Sequence, residues 1–131
     1  MSENIIEIGI EDLDISHRLE KLPSLIKDEE TKILAFQRKF EAQKLKRKEI
    51  EIKIKSEIGK ELTEDFKPKF KNEDAREAEL IERLKKNIEV SVLKSEQDDT
   101  EYKLDIEKIK FNYLINLFSG AKAIAHMKEM E

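Results

Sequence analysis

Apolar residues in the first half of the chain recur at the spacing of one helix face. From Ser16 onward they return every three or four residues, at Leu19, Leu22, Ile26, Ile33, Phe36 and Phe40. Ser16 is a candidate N-cap for this helix. Pro23 is an alternative start, because proline is tolerated in the first turn of a helix and breaks later turns.

The continuation of this helix, residues 41–62, has a pattern that fits two structures. Ile50, Ile52 and Ile54 alternate with charged residues, which is typical of a half-buried strand. Ile50, Ile54 and Ile58 also recur every four residues, as they would on a helix. Strong helix formers surround the segment, and no turn signal separates it from the helix before it. The pattern therefore favours one long helix over residues 16–66.

A break and a further helical region follow. Pro68 lies in the predicted linker 67–72, and Asn72 is a candidate cap for a helix that begins with acids and ends with lysines. The polar residues 95–101 are expected to interrupt or bend the chain before its most hydrophobic segment. The region 73–131 as a whole is predicted to be helical.

The last segment is too apolar to be covered on one side only. Leu104, Phe111, Phe118 and Ala125 repeat every seven residues, with more apolar residues beside them. Because such a helix must be buried on more than one side, neighbouring subunits are the expected cover, and the chain's own first helix is the alternative. The candidate oligomerisation residues are Leu104, Phe111, Leu114, Leu117, Phe118, Ala121 and Ile124.

These patterns predict an all-α protein, with long helices in a helical hairpin or bundle and a C-terminal oligomerisation helix. The 131 residues are 43% charged and 6% aromatic, which suits solvated helices better than a compact enzyme. Three glycines cannot build a phosphate-cradling loop, and His17 and His126 lack the spacing of metal ligands. We therefore expect no catalytic residue, no metal and no cofactor.

The sequence also bears on location. It contains no cysteine, its N-terminus is acidic rather than basic, and no apolar run reaches the length of a membrane span. These features predict a cytoplasmic protein that does not enter a membrane.

Charge is segregated along the chain. Residues 1–31 hold nine acids and three bases, with an acidic arm predicted at 1–15, whereas residues 38–60 hold nine bases and four acids. On a helix, lysines seven residues apart form rows about 30 Å long, which can follow a phosphate backbone. The candidate phosphate-binding residues are Lys44, Lys46, Arg47, Lys48, Lys53, Lys55 and Lys60.

A solvated helix face without a ligand is the alternative reading of the basic segment. Glu49 and Glu57 lie four residues on either side of Lys53 and could pair with it. Aromatic rings that could stack on nucleic-acid bases are sparse nearby, and the candidates are Phe40, Phe66 and Phe70.

Two stretches of the chain together resemble one known family. The first is the segment EAQKLKRKEIEIKIKSEIG. The second is the run 92–124, with the matching residues Asp98 or Asp99, Lys103, Asp105, Phe111, Leu114, Ile115, Phe118, Ser119, Gly120 and Ala121. The family that they resemble is that of the phage recombination mediators typified by UvsY. The first stretch is similar to the family's basic segment, with residues 52–55 in place of its L-K-x-R-like motif, although Lys55 stands where arginine is expected. The second resembles the family's C-terminal assembly helix.

The resemblance implies a homo-oligomeric ring, expected to be a hexamer or heptamer, that binds single-stranded DNA. It also implies contacts with a recombinase and a single-strand DNA-binding protein, in the cytoplasm of a phage-infected host. Binding would then belong to residues 38–60 and assembly to residues 100–127. The alternative is a coiled-coil scaffolding or structural protein that binds another helical protein and no nucleic acid.

Overall fold

The computed structural model describes residues 13–130, and this part of the chain is all-α, as predicted. It contains three helices, α1 (Ile15–Lys60), α2 (Glu73–Lys86) and α3 (Ile88–Glu129). The long helix α1 packs against α3 in a helical hairpin. The predicted acidic arm, 1–15, lies almost entirely outside the described residues.

Helix α1 begins earlier than either predicted start. The Asp14 side chain caps it, because Asp14 Oδ1 accepts a hydrogen bond from the backbone N–H of His17 at 2.9 Å. Ser16 is therefore inside the first turn, and Pro23 is inside the helix rather than at its start. Leu22, next to the proline, is fully buried, and this packing outweighs the cost of the missing backbone donor.

The predicted end of α1 and the predicted interruption at 95–101 also differ from the structure. Helix α1 ends at Lys60 rather than at 66. The helix runs through residues 50–54, so the strand alternative for them is wrong. Residues 95–101 neither interrupt nor bend α3 out of helical geometry. Gln97 and Thr100 are buried there, so these polar residues serve packing inside a continuous helix.

Asparagine side chains set the boundaries of α2 and the start of α3. Asn72, the predicted cap, accepts a hydrogen bond from the backbone N–H of Ala75 at 2.8 Å. Asn87 ends α2 and also caps α3, because its Oδ1 accepts from the backbone N–H of Val90 at 3.0 Å. One asparagine therefore separates two helices that propensity alone would join.

The chain folds into two compact units. Among the described residues, one unit combines 13–38 with 102–130, around a core of Leu22, Ile26 and Leu114. The other is Lys39–Glu101. Its core consists of Ile54, Ile58 and Leu80, with Ile50, Phe70 and Leu84 packed against it.

Buried positions on α3 are spaced alternately by three and four residues from Val90 to Glu107 and by seven residues from there to Ala121, which fits the repeat of a coiled coil. We call them the α3 seam. They are Val90, Leu93, Gln97, Thr100, Leu104, Glu107, Leu114 and Ala121. Within the seam, three positions are polar, and each needs a partner because a buried polar group without one is costly.

At one polar position of the α3 seam, the carboxyl group of Glu107 meets that of Glu29 on α1. Glu29 of α1 is 1% exposed and Glu107 of α3 is 7% exposed. Burial raises the pKa of Glu107, but a hydrogen bond with Glu29 and the charges of Lys32 and Lys110 outweigh it, so the pKa is lowered overall.

We predict that replacing both acids with leucine, Glu29→Leu with Glu107→Leu, stabilises the protein by about 1–4 kcal/mol at neutral pH. Apolar side chains in a buried seam avoid the desolvation of charge. Because the pKa of Glu107 is lowered in the folded state, its contribution is present above pH 4.5 and is lost as the pH falls through the folded pKa. The variant lacks this part of the acid destabilisation.

Urea denaturation at several pH values measures both effects. Asp28→Leu with Asp105→Leu, which changes two exposed acids on the same helices, is the matched control and leaves the acid destabilisation intact. A destabilised Glu29→Leu, Glu107→Leu variant at neutral pH would contradict the prediction.

Candidate nucleic-acid interface

Six of the seven candidate phosphate-binding residues have exposed side chains on α1. They are Lys44, Lys46, Lys48, Lys53, Lys55 and Lys60. Among residues 13–130, none of them has a carboxylate oxygen within the 4.0 Å of an ion pair. The pairing of Lys53 with Glu49 or Glu57 is therefore not formed, and these ammonium groups face solvent.

The lysines lie on two flanks of α1 rather than in one row. Lys46 and Lys53, seven residues apart, line a groove of about 390 Å³ that reaches Asn87 and Glu89 at the start of α3. Lys55 lines a different groove of about 400 Å³, bounded by α2. A single phosphate backbone following one flank would therefore meet only part of the candidate set.

Both grooves also contain acids. Glu49, Glu57 and Glu89 line the first beside Lys46 and Lys53. In the second, Lys55 and Arg76 face Glu51, Glu73 and Glu77. Acids therefore lie beside the lysines in both grooves and weaken the attraction of either groove for a phosphate.

Arg47 has a different position from the lysines around it. Its side chain is half-buried, and Nη1 donates a hydrogen bond to Oε1 of the buried Gln97 at 2.6 Å. Arg47 thereby supplies the partner of one polar position in the α3 seam. Among the candidate binding residues it is the one that positions α1 against α3.

The three candidate stacking rings are in different environments. Phe40 is half-buried, and Phe70 packs against the core of its unit. The cations Lys69 and Arg83 lie 5.5 Å and 5.9 Å from the centre of the Phe70 ring. Phe66 differs from both, because its side chain is 84% exposed.

The connection between α1 and α2 contains hydrogen-bonded structure that the sequence pattern does not predict. Leu62 and Pro68 form an antiparallel bridge, so the predicted linker starts inside a small hairpin. At its base, Arg83 Nη2 donates to Glu61 at 2.6 Å, and this bond lowers the pKa of Glu61 and raises that of Arg83. Pro68 predicts a break in helical structure, but proline also occurs at the edges of sheets, which is its position here.

Six of the seven candidate oligomerisation residues are buried or half-buried within the single chain. Leu104, Leu114 and Ala121 are 8%, 3% and 1% exposed. Phe111, Leu117 and Phe118 are half-buried and pack against the core of Leu22, Ile26 and Leu114. This is the alternative that the sequence left open, in which the chain's own first helix provides the cover. Ile124 is 40% exposed and remains available to another molecule.

The opposite side of α3 carries exposed apolar residues, which we call the outer stripe. Tyr102, Ile109, Ile124 and Met127 are 66%, 69%, 40% and 65% exposed. At 100° per residue they share the helix face that points away from the seam. The outer stripe is the surface that a neighbouring subunit would have to cover.

No helix in the described range is long and apolar enough to cross a membrane. Residues 13–130 contain no group of three or more His, Asp or Glu side chains that could hold a metal ion. Comparisons with protein-family models, with characterised proteins and with solved structures return no match.

We predict that Arg47→Ala destabilises the protein by about 1–3 kcal/mol, because Gln97 then stays buried without its donor. Lys48→Ala, at the exposed neighbouring position, is the matched control and stays within about 0.5 kcal/mol of the wild type. Urea denaturation followed by circular dichroism measures both. Equal stability of the two variants would show that Arg47 is an ordinary surface cation.

Proposed function

We propose that the protein is a recombination mediator, which binds single-stranded DNA as a homo-oligomer and promotes the loading of a recombinase onto DNA covered by single-strand DNA-binding protein. The observation that carries the proposal is the set of exposed α1 lysines that make no ion pair among the described residues. The resemblance of residues 41–59 and 92–124 to the UvsY-type family supplies the biological context.

Assembly in this proposal uses the outer stripe of α3. The seam side of α3 is covered within the chain, whereas Tyr102, Ile109, Ile124 and Met127 are exposed. Burial of such residues between subunits removes apolar surface from water and favours association. In a ring of six or seven chains, the outer stripe would serve assembly and the basic segment of each chain would bind DNA.

Repetition of a weak site explains how such an assembly could act without an energy source. A few lysines per chain give modest affinity, and linking several chains makes each further contact intramolecular. The assembly could then hold a strand while single-strand DNA-binding protein leaves and recombinase arrives. Neither step needs a catalytic group.

Binding of a labelled oligonucleotide, measured against salt concentration, tests the proposal. We predict binding at about 50 mM salt, with the logarithm of the association constant falling by about 0.7 per phosphate neutralised for each tenfold rise in salt. Lys53→Ala with Lys55→Ala gives a shallower slope, because fewer counterions are released. Absence of binding at about 50 mM salt would contradict the proposal.

Two further pairs of variants identify the flank that DNA follows. Lys46→Ala with Lys53→Ala changes one flank, and Lys48→Ala with Lys55→Ala changes the other. Lys85→Ala with Lys94→Ala removes the same charge from exposed positions outside the basic segment and is the control. If all three pairs reduce the slope equally, the binding depends on net charge and not on the basic segment.

A protein-binding scaffold remains the second candidate, and one observation favours it. Leu45 and Ile52 are 59% and 61% exposed and share the outward face of α1. An apolar stripe of this kind fits another amphipathic helix. Under this alternative the oligonucleotide does not bind at any salt concentration.

A further inference from the structure

The hairpin between α1 and α2 has the hydrogen bonds of a three-residue β-hairpin loop. The Phe66 N–H donates to the Thr63 carbonyl at 2.9 Å, which closes a β-turn over Glu64 and Asp65, and the Thr63 N–H donates to the Lys67 carbonyl at 2.7 Å. In such loops the residue after the turn adopts the left-handed conformation and is commonly glycine. Phe66 occupies that position here.

Phe66 has a φ of 59°, and among the described residues it is the only one other than glycine with a positive φ. An L-residue with a large side chain is destabilised in this conformation. The ring does not recover that cost by burial, because 84% of the residue is exposed. The fold of a single chain therefore gives no reason for phenylalanine at this position.

The base of the hairpin is held firmly, so the tip has a defined place. Glu61 is bonded to Arg83 of α2 at 2.6 Å, and the Lys69 N–H donates to the Glu61 carbonyl at 3.0 Å. Phe70 packs against the core of Ile54, Ile58 and Leu80. An aromatic ring on a fixed support loses little conformational entropy when a ligand covers it.

Charges near the ring are mixed. Glu64 and Asp65 precede it and would repel phosphates, whereas Lys60, Lys67 and Lys71 lie close in sequence and are exposed. The uncharged face of a nucleobase is compatible with this setting, and the lysines can hold the flanking phosphates. An aromatic ring beside exposed lysines is the combination that single-strand binding sites use.

We propose that Phe66 is a base-stacking residue for single-stranded nucleic acid. The proposal rests on the proposed function, because it presupposes that the chain binds such a strand. It assigns the strand to the α1–α2 hairpin in addition to the lysines of α1, within the unit formed by Lys39–Glu101.

Oligonucleotide affinity of the full chain, measured at several salt concentrations, tests the role of the ring. Phe66→Ala is expected to weaken binding about 5- to 150-fold at every salt concentration, since stacking is not a counterion effect. The salt slope stays that of the wild type. Leu62→Ala, which changes another exposed apolar residue of the same hairpin, is the control and leaves affinity unchanged.

Tryptophan fluorescence gives an independent readout, because the chain contains no tryptophan. Phe66→Trp is expected to retain affinity and to lose indole fluorescence when oligo-dT binds, whereas Leu62→Trp keeps its fluorescence. Phe66→Gly is expected to raise the melting temperature, because glycine tolerates the positive φ, and to weaken binding as Phe66→Ala does.

The outcomes separate this proposal from the proposed function. If the wild type binds the oligonucleotide and Phe66→Ala binds equally well, the stacking role is wrong while the mediator proposal stands, and a protein partner becomes the better explanation of the exposed ring. If the wild type does not bind at all, both are wrong.

Discussion

The structure depends on the packing of α1 against the seam of α3. Each helix alone would expose its apolar side to water, which is unfavourable. In a chain of long solvated helices with few aromatic residues, packing of these sides against each other is the available way to form a core. Leu22, Ile26 and Leu114 form the core of one unit and Ile54, Ile58 and Leu80 that of the other. Because this side of α3 is used within the chain, the assembly that we propose would use the outer stripe.

Polar residues in the α3 seam favour one alignment of α1 with α3, which the apolar residues alone would not do. A slip of one heptad would still place apolar residues opposite each other, but it would separate Arg47 from Gln97 and Glu29 from Glu107. Because a buried polar group without a partner is costly, these pairs favour one register of the hairpin. Because Arg47 is the hydrogen-bond partner of the buried Gln97, it is not one of the exposed basic residues.

The long helices could be predicted from sequence because their period is strong, and the cap at Asn72 followed from local chemistry alone. The predicted helix boundaries are wrong where side-chain packing outweighs the local helix preference of the residues. Pro23 is inside α1 beside the buried Leu22, and the polar run 95–101 is helical because Gln97 and Thr100 occupy seam positions.

The candidate interface was predictable in part. Exposure of the lysines follows from their periodicity, whereas their division between two flanks depends on where α2 and the start of α3 lie. The apolar residues around α3 predicted burial on several sides. Which side the chain itself covers, and the ordered turn that presents Phe66, depend on tertiary contacts that periodicity does not contain.

Native mass measurement with and without a single-stranded oligonucleotide tests self-assembly and DNA binding together. We expect an assembly of several chains, six or seven, that takes up the strand as one complex. Ile109→Asp, at an exposed position of the outer stripe, is expected to yield smaller species that are still folded and that bind DNA more weakly. A folded monomer that takes up no oligonucleotide would contradict both the proposed assembly and the proposed DNA binding.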